Sequence, residues 1–335
     1  MPNVISDVAT LEACLGKKPE AMDLKVIDHL DDGALQWLAA STLVFAGFGD
    51  NAGISMTIGG GEAGFATAAD RSLLTMPLAM LDNPACAQPG QGFGSLFLIP
   101  GIGETMRING RILAAVGDRL EIAVDECFLH CAKALIRSDF WNASRLTEMP
   151  ADAADFLEAS RFLLITTVDA DGQADVSPKG DPQGATMRLI GGTACYAERP
   201  GNRRADSYRN MLNQPRLGAT VLIPGSNRVA FVSGTAQLTS DEDLRQIFAV
   251  QGKAPLLVTR IVEPKITLAT SDALARAEPW SRRAPDAGID PAAIMVRHVK
   301  LNKERGLQAR ILGTALSIPG LMAKGLAQDY KKNLY

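Results

Sequence analysis

The chain is 335 residues long, yet its longest uncharged stretch near the C-terminus, residues 311–323, is only thirteen residues and carries Pro319. A bilayer-spanning helix needs about twenty apolar residues, so no span is expected there. Positive charge is not in excess either. Lys plus Arg number 34 against 37 Asp plus Glu, a net charge of −3, which argues against a protein that coats nucleic acid or anionic lipid. Any phosphate-bearing ligand must then be met by a local basic cluster. No basic segment followed by an apolar run marks the N-terminus, so no secretory signal is expected. The five cysteines are an odd number without framework spacing, which suits a reducing compartment, and a cytoplasmic protein is the expectation. Nucleophile-elbow, Walker and dinucleotide fingerprints are missing. The run Gly59-Gly60-Gly61 lacks the spacing for the last and reads as a loop. Cys127, His130 and Cys131 form a C-x2-H-C cluster, but a zinc site wants four ligands, and His29 and His298 lie near the two ends of the chain, so no metal is expected.

What is present is an ordinary globular composition, 47% hydrophobic and 21% charged, in a length that predicts about two domains. The segments LFLIPGIGETMRINGR (96–111) and ATVLIPGSNRVAFVSGT (219–235) share a Leu-Ile-Pro-Gly core, with Pro100 and Gly110 each 124 residues before Pro224 and Gly234. Asp82-Asn83-Pro84 resembles Asn213-Gln214-Pro215, and Gly49-Asp50-Asn51-Ala52-Gly53 resembles Asp169-Ala170-Asp171-Gly172. Four matches in one order point to a duplicated domain. Each copy reads as a small antiparallel barrel with one helix. Residues 162–177 have the pattern of a hairpin. Asn202 is placed to cap a helix over 203–212, and strands follow over 216–223 and 228–238. The expected organisation is a helical extension over 1–40, barrels over 41–147 and 148–271 divided near Pro150, and a helical extension over 272–335 broken by Pro285, Pro291 and Pro319. Trp37 and Trp280 read as packing residues.

The chemistry concentrates in Ser177-Pro178-Lys179-Gly180-Asp181 and Arg199-Pro200-Gly201-Asn202-Arg203-Arg204. Four arginines and no lysine lie between 199 and 209. Guanidinium forks take phosphate oxygens in pairs, and a helix start favours an anion.

These segments, together with VDECFLHCAKALIRSDFW in the first copy, resemble the pyridoxamine 5'-phosphate oxidase-like, FMN-binding split-barrel superfamily. The motifs are nearest to its bacterial subgroup with a Ser-Pro-Lys/Arg-Gly-Asp motif. The resemblance covers about 43–143 and 155–270. It implies a mainly β (α+β) fold: two tandem split β-barrels forming an intrachain pseudo-dimer, with helical extensions at both ends and FMN in the groove between the barrels. One barrel would contribute Ser177, Pro178, Lys179, Arg199, Asn202, Arg203 and Arg204. The other would contribute Glu104, Arg107, Lys133 and Trp141, with His130 as the proton donor. The two sets are complementary. In the first copy, Ser55-Met56-Thr57-Ile58 stands where Ser-Pro-Lys is expected and only Asp70-Arg71-Ser72 resembles Asn-Arg-Arg. In the second copy, Arg228 and Phe231 replace Glu104 and Arg107. One FMN per chain and a vestigial opposite groove are therefore expected. The implied function is an FMN-dependent oxidoreductase acting on a small molecule, with NAD(P)H or oxygen as electron partner. The alternatives are a flavin-binding redox sensor without turnover and a haem-binding or haem-degrading barrel. Pyridoxamine phosphate oxidation itself is not expected, since its C-terminal substrate signature is not identifiable. Neither nucleic-acid nor membrane partners are expected, and the chain is read as a monomer or homodimer.

Overall fold

The structure, a computed structural model, describes residues 3–144, 146, 148–201, 203–281, 288–302 and 321–335. Asn202, Pro285, Pro319 and most of the uncharged 311–323 stretch lie outside the described residues. The chain opens with β1 (Val4–Ile5), α1 (Val8–Leu15), a 3-10 turn over Glu20–Lys25 and α2 (Asp32–Ala40). Asp31 caps α2 by accepting from the Ala34 N–H, and the i, i+3, i+4 spacing of Ala34, Trp37 and Leu38 turns one apolar face inward.

The first barrel follows as β2 (Leu43–Gly49), β3 (Ile54–Gly60), β4 (Thr67–Asp70), β5 (Leu73–Pro77), β6 (Gly92–Leu98), β7 (Thr105–Val116) and β8 (Arg119–His130), then the short helix α3 (Lys133–Arg137). After α4 (Ala153–Ala159), the second barrel comprises β9 (Phe162–Val168), β10 (Ala174–Gly180), β11 (Met187–Ile190), β12 (Thr193–Glu198), α5 (Asp206–Asn213), β13 (Arg216–Leu222), β14 (Arg228–Thr239), α6 (Glu242–Ile247) and β15 (Leu257–Thr270). Three helices follow: α7 (Asp272–Ala277), α8 (Pro291–Leu301) and α9 (Leu321–Lys332).

The two sheets are antiparallel and have one topology. The first runs β3-β2-β6-β7-β8-β5-β4, and the second runs β10-β9-β13-β14-β15-β12-β11 with β1 added on β14. Each strand of one copy thus has its counterpart in the other. The 124-residue spacing holds across the β6–β7 and β13–β14 pairs, and both long strands bulge at the matching glycine, Gly110 and Gly234. The first turns match as well: the carboxylates of Asp50 and Asp169 accept from the N–H groups of Ala52 and Asp171, the Asx geometry that reverses a chain.

Each barrel has its own apolar core, and a third cluster joins them. Phe45, Ile58, Leu96 and Phe140 of the first half meet Phe162, Leu164, Val176 and Leu222 of the second, all essentially excluded from solvent. Each such side chain contributes about 1.5–3 kcal/mol on burial, so this cluster stabilises the docking of the halves on each other. The contact is two-fold in character. Helix α3 lies on β10 of the opposite barrel and α7 lies on β3. Arg137 donates to the Pro200 carbonyl at 2.6 Å, and Arg276 donates to the Met80 carbonyl at 2.9 Å. Trp280 and Trp141 flank the same ring, Phe140, at 5.6 and 4.8 Å.

Several expectations change. Helix α7 and Trp280 are the counterparts of α3 and Trp141, so we place the end of the second repeat beyond Trp280 rather than at 271. The N-terminal segment is not one extension. Leu11 and Leu15 pack in the core of the second barrel, whereas Leu30, Trp37 and Leu38 pack in that of the first. Gly59 and Gly60 belong to β3, paired with Val44 and Leu43 of β2, not to a loop; position 60 needs glycine because a Cβ there would come within 2.5 Å of the Ala273 carbonyl oxygen of the docked α7. Asp82-Asn83-Pro84 is not the partner of Asn213-Gln214-Pro215. Met80 matches Pro200 through the paired arginine contacts, which puts residues 82–84 at 202–204. Asp70-Arg71-Ser72 is then only the turn between β4 and β5, with Arg71 bonded to Asp32 and the Leu30 carbonyl.

Candidate cofactor site

Where α3 and β8 of the first half face β10, β12 and the start of α5 in the second, a cavity of about 700 Å³ opens. That volume is typical of small-molecule and cofactor sites. Seven cations line it, namely Arg107, Lys133, Arg137, Lys179, Arg199, Arg203 and Arg204, against the carboxylates Asp181, Glu198, Asp206 and Asp329. The local basic cluster that an acidic chain needs for an anion is therefore built from both barrels.

Arg107 crosses between the halves. Only 1% exposed, it donates from Nη1 to Asp175 at 2.7 Å and from Nη2 to the Ser177 hydroxyl at 3.2 Å. Ser177 in turn donates to Asp175 at 3.0 Å. The guanidinium lies 5.3 Å from the Phe128 ring centre, and its buried Nε has no hydrogen-bond partner in the protein. His130 is alike: its ring is at the cavity wall and its buried Nδ1 has no protein partner. Burial, and then the charge of Arg107, push the His130 pKa well below its usual 6.5. Burial thus favours the neutral imidazole at pH 7, which does not fit the expected role as an imidazolium proton donor.

Lys179 is set by Glu198 at 2.6 Å, a carboxylate that also accepts from the Tyr208 hydroxyl at 2.7 Å. Pro178 lines the wall between Ser177 and Lys179. Arg199 is more heavily engaged: its Nε bonds both oxygens of Asp181 at 3.0 and 2.9 Å, and Nη2 donates to the Phe248 carbonyl at 2.6 Å. Burial raises the Asp181 carboxyl to about 6 despite the pull of Arg199.

The 203–205 loop departs from expectation. Helix α5 begins at Asp206, so Arg203 and Arg204 precede it instead of opening it. Arg203 and Ala205 have left-handed φ of 59° and 54°, a costly conformation for residues with side chains that is concentrated at functional sites. These reversals turn Arg204 inward, 4.3 Å from the Phe128 ring centre and paired with Asp206, Glu126 and Asp23. Arg203 stays exposed at the rim. The first turn of α5 still borders the cavity.

Two expected residues are not brought to the wall. Glu104 accepts from the Tyr330 hydroxyl at 2.9 Å, and Trp141 donates from Nε1 to the Ile102 carbonyl at 2.7 Å within the joint between the halves. Lys133 is on the wall but paired with Asp329 at 2.8 Å. Asp181 and Arg137, both within the quoted motif segments, line the cavity, as do residues that the motifs did not single out, including Glu198, Tyr208, the Cys14–Gly16 segment and Asp329. Glu198 stands beside a motif residue in the chain. Cys14 and Asp329 arrive from the two ends and carry no local signal. The opposite groove lacks the cationic set: by strand pairing, Thr57, Ile58 and Gly59 occupy the places of Ser177, Pro178 and Lys179, and Phe231 that of Arg107.

No helix among the described residues is long and apolar enough to cross a membrane. Residues 149–267, the second barrel, match the family model described as pyridoxamine 5'-phosphate oxidase. A search of curated proteins finds no match. Among solved structures, the chain is similar to HupZ of Group A Streptococcus, at 20% identity over 37% of this chain and 96% of that one, with a TM-score of 0.30. A putative pyridoxamine 5'-phosphate oxidase from Lactobacillus delbrueckii is similar at 20% identity over 38% and 98%, TM-score 0.27. An F420 reductase is similar at 16% identity over 36% and 98%, TM-score 0.27. The family match thus covers the second barrel, and the first barrel repeats the strand order of the second.

Proposed function

We propose that the chain is an FMN-dependent oxidoreductase that binds one FMN between its barrels and acts on a small molecule. The observation that carries this reading is the Arg107–Ser177–Asp175 bridge. It lies in the wall of a cavity rimmed by cations, and in that wall Arg107 Nε and His130 Nδ1 are buried without protein partners. Buried polar atoms without partners are rare in proteins and point to a ligand with complementary groups. The residues fit FMN in charge and in size. Arg203 and Lys179 would hold the phosphate, with Arg204 behind them, and Ser177 and Arg107 would meet the polar edge of the ring. Bound FMN supplies the redox chemistry by taking or giving a hydride at its N5. The chain's part is to orient the substrate, to exclude water between the two barrel walls, and to hold a neutral imidazole at His130 that hydrogen-bonds without adding charge.

The test is an absorption spectrum of the purified protein, followed by denaturation and identification of the released chromophore by mass. About one FMN per chain, lost when Arg203 and Lys179 are both changed to Ala, supports the proposal. Two per chain would make both grooves sites, a Soret band would replace FMN by haem, and a colourless chain that takes up no FMN would remove the activity.

A further inference from the structure

The C-terminal seven residues, Asp329–Tyr335, lie across the outer half of the cavity. Helix α9 brings them there, with Met322 and Leu326 packed against the first barrel's core. Several of the seven residues' contacts go to cations of the wall or beside it. Asp329 pairs with Lys133, the Leu334 carbonyl accepts from Arg137 Nε at 2.5 Å, and the Tyr335 backbone oxygen accepts from Lys253 at 3.1 Å. The Tyr335 ring lies 5.5 and 5.8 Å from the guanidinium carbons of Arg137 and Arg199. Tyr330 joins Glu104 to the Ala132 N–H that opens α3.

This pattern is that of a ligand. Arg137 is partly buried and hydrogen-bonds to two carbonyl oxygens, those of Pro200 and Leu334, with Asp181 and Glu198 near enough to act on its charge but no carboxylate within ion-pair distance among the described residues. A guanidinium held by neutral acceptors is one that an anion in direct contact satisfies better. Lys133 has its one carboxylate from the segment itself, and Asp329 is about half exposed, so the pair is easily exchanged. The segment thus presents an acid, carbonyl oxygens and an aromatic face to Lys133, Arg137, Arg199 and Lys253, the features by which a small anionic molecule would be held.

We propose that residues 329–335 are a built-in occupant of the substrate half of the cavity, displaced by an anionic substrate carrying a carboxylate or phosphate. The proposal rests on the FMN reading for its assignment of the inner half, at Arg107 and Ser177, to the cofactor. Calorimetric titration with inorganic phosphate tests it, on the full chain and on a chain lacking residues 329–335, each with and without saturating FMN. A full-length Asp329→Asn, Tyr335→Ala variant guards against damage from truncation, with circular dichroism to verify its fold. At least tenfold tighter phosphate binding in both altered chains is the expected result. Equal affinities, or no phosphate binding by any chain, would overturn the proposal. Failure of the full chain to take up FMN would instead overturn the cofactor reading, and the titration without FMN would still decide the role of the segment.

Discussion

At the scale of single residues, the site is governed by what burial does to charge. His130 keeps a neutral ring because its environment is both buried and cationic. The unfolded chain carries a histidine near 6.5, so below that pH the unfolded state takes up a proton that the folded state refuses, and stability falls as the solution is acidified. Asp181, raised by burial to about 6, acts in the opposite sense between about pH 4 and 6, because there the folded state holds the extra proton. Comparison with a variant isolates the histidine. Between pH 7.5 and 5.5, His130→Gln should lose less stability than the parent, by up to about 1.4 kcal/mol, in urea unfolding. Parallel pH profiles would show that the imidazole takes up its proton in the fold as readily as in the unfolded chain. The role of His130 was legible in sequence only as a position. Its protonation state depends on Arg107, brought beside it by the pairing of β7 with β8, and on closure by the second barrel.

At the scale of elements, the docking of α3 on β10 sets the site and the docking of α7 on β3 copies it without one. Gly180 and Gly60 allow these approaches. A Cβ at Gly180 would overlap the Ala134 carbonyl oxygen, as one at Gly60 would crowd that of Ala273. Each Gly→Ala change should destabilise the fold by about 1–3 kcal/mol through forced displacement of the helix. Their effects on FMN should differ. Gly180→Ala forces apart α3 and the strand that carries Ser177 and Lys179, and should weaken FMN at least tenfold in a fluorescence titration, whereas Gly60→Ala should leave the affinity within twofold. Equal loss from both would mean that the second groove also holds cofactor. The strands were readable because alternation, Asp-Gly turns and Leu-Ile-Pro-Gly are local. The start of α5 was not, since the left-handed turns at Arg203 and Ala205 oppose local preference and coincide with the inward ion pairs of Arg204.

At the scale of the whole molecule, fusing the two barrels makes the groove between them a property of one chain. Because Arg107 and Ser177 cannot dissociate from each other by dilution, the FMN affinity should be the same at nanomolar and micromolar protein, measured by flavin fluorescence. A dependence on protein concentration would mean that the site needs a second copy. The duplicated topology, the interleaved motifs and their complementary loss were all visible in the order of residues, because strand patterns, turns and the identity of a lost arginine are written locally. The terminal segments were visible only as helical. Folding decided that residues 4–15 serve the second barrel and 27–40 the first, that α7 is the twin of α3, that Glu104 turns to Tyr330, and that the last residues lie over Lys133 and Arg137. Those outcomes depend on contacts between positions some two hundred residues apart, where packing and the pairing of buried charge, rather than local preference, select the partner.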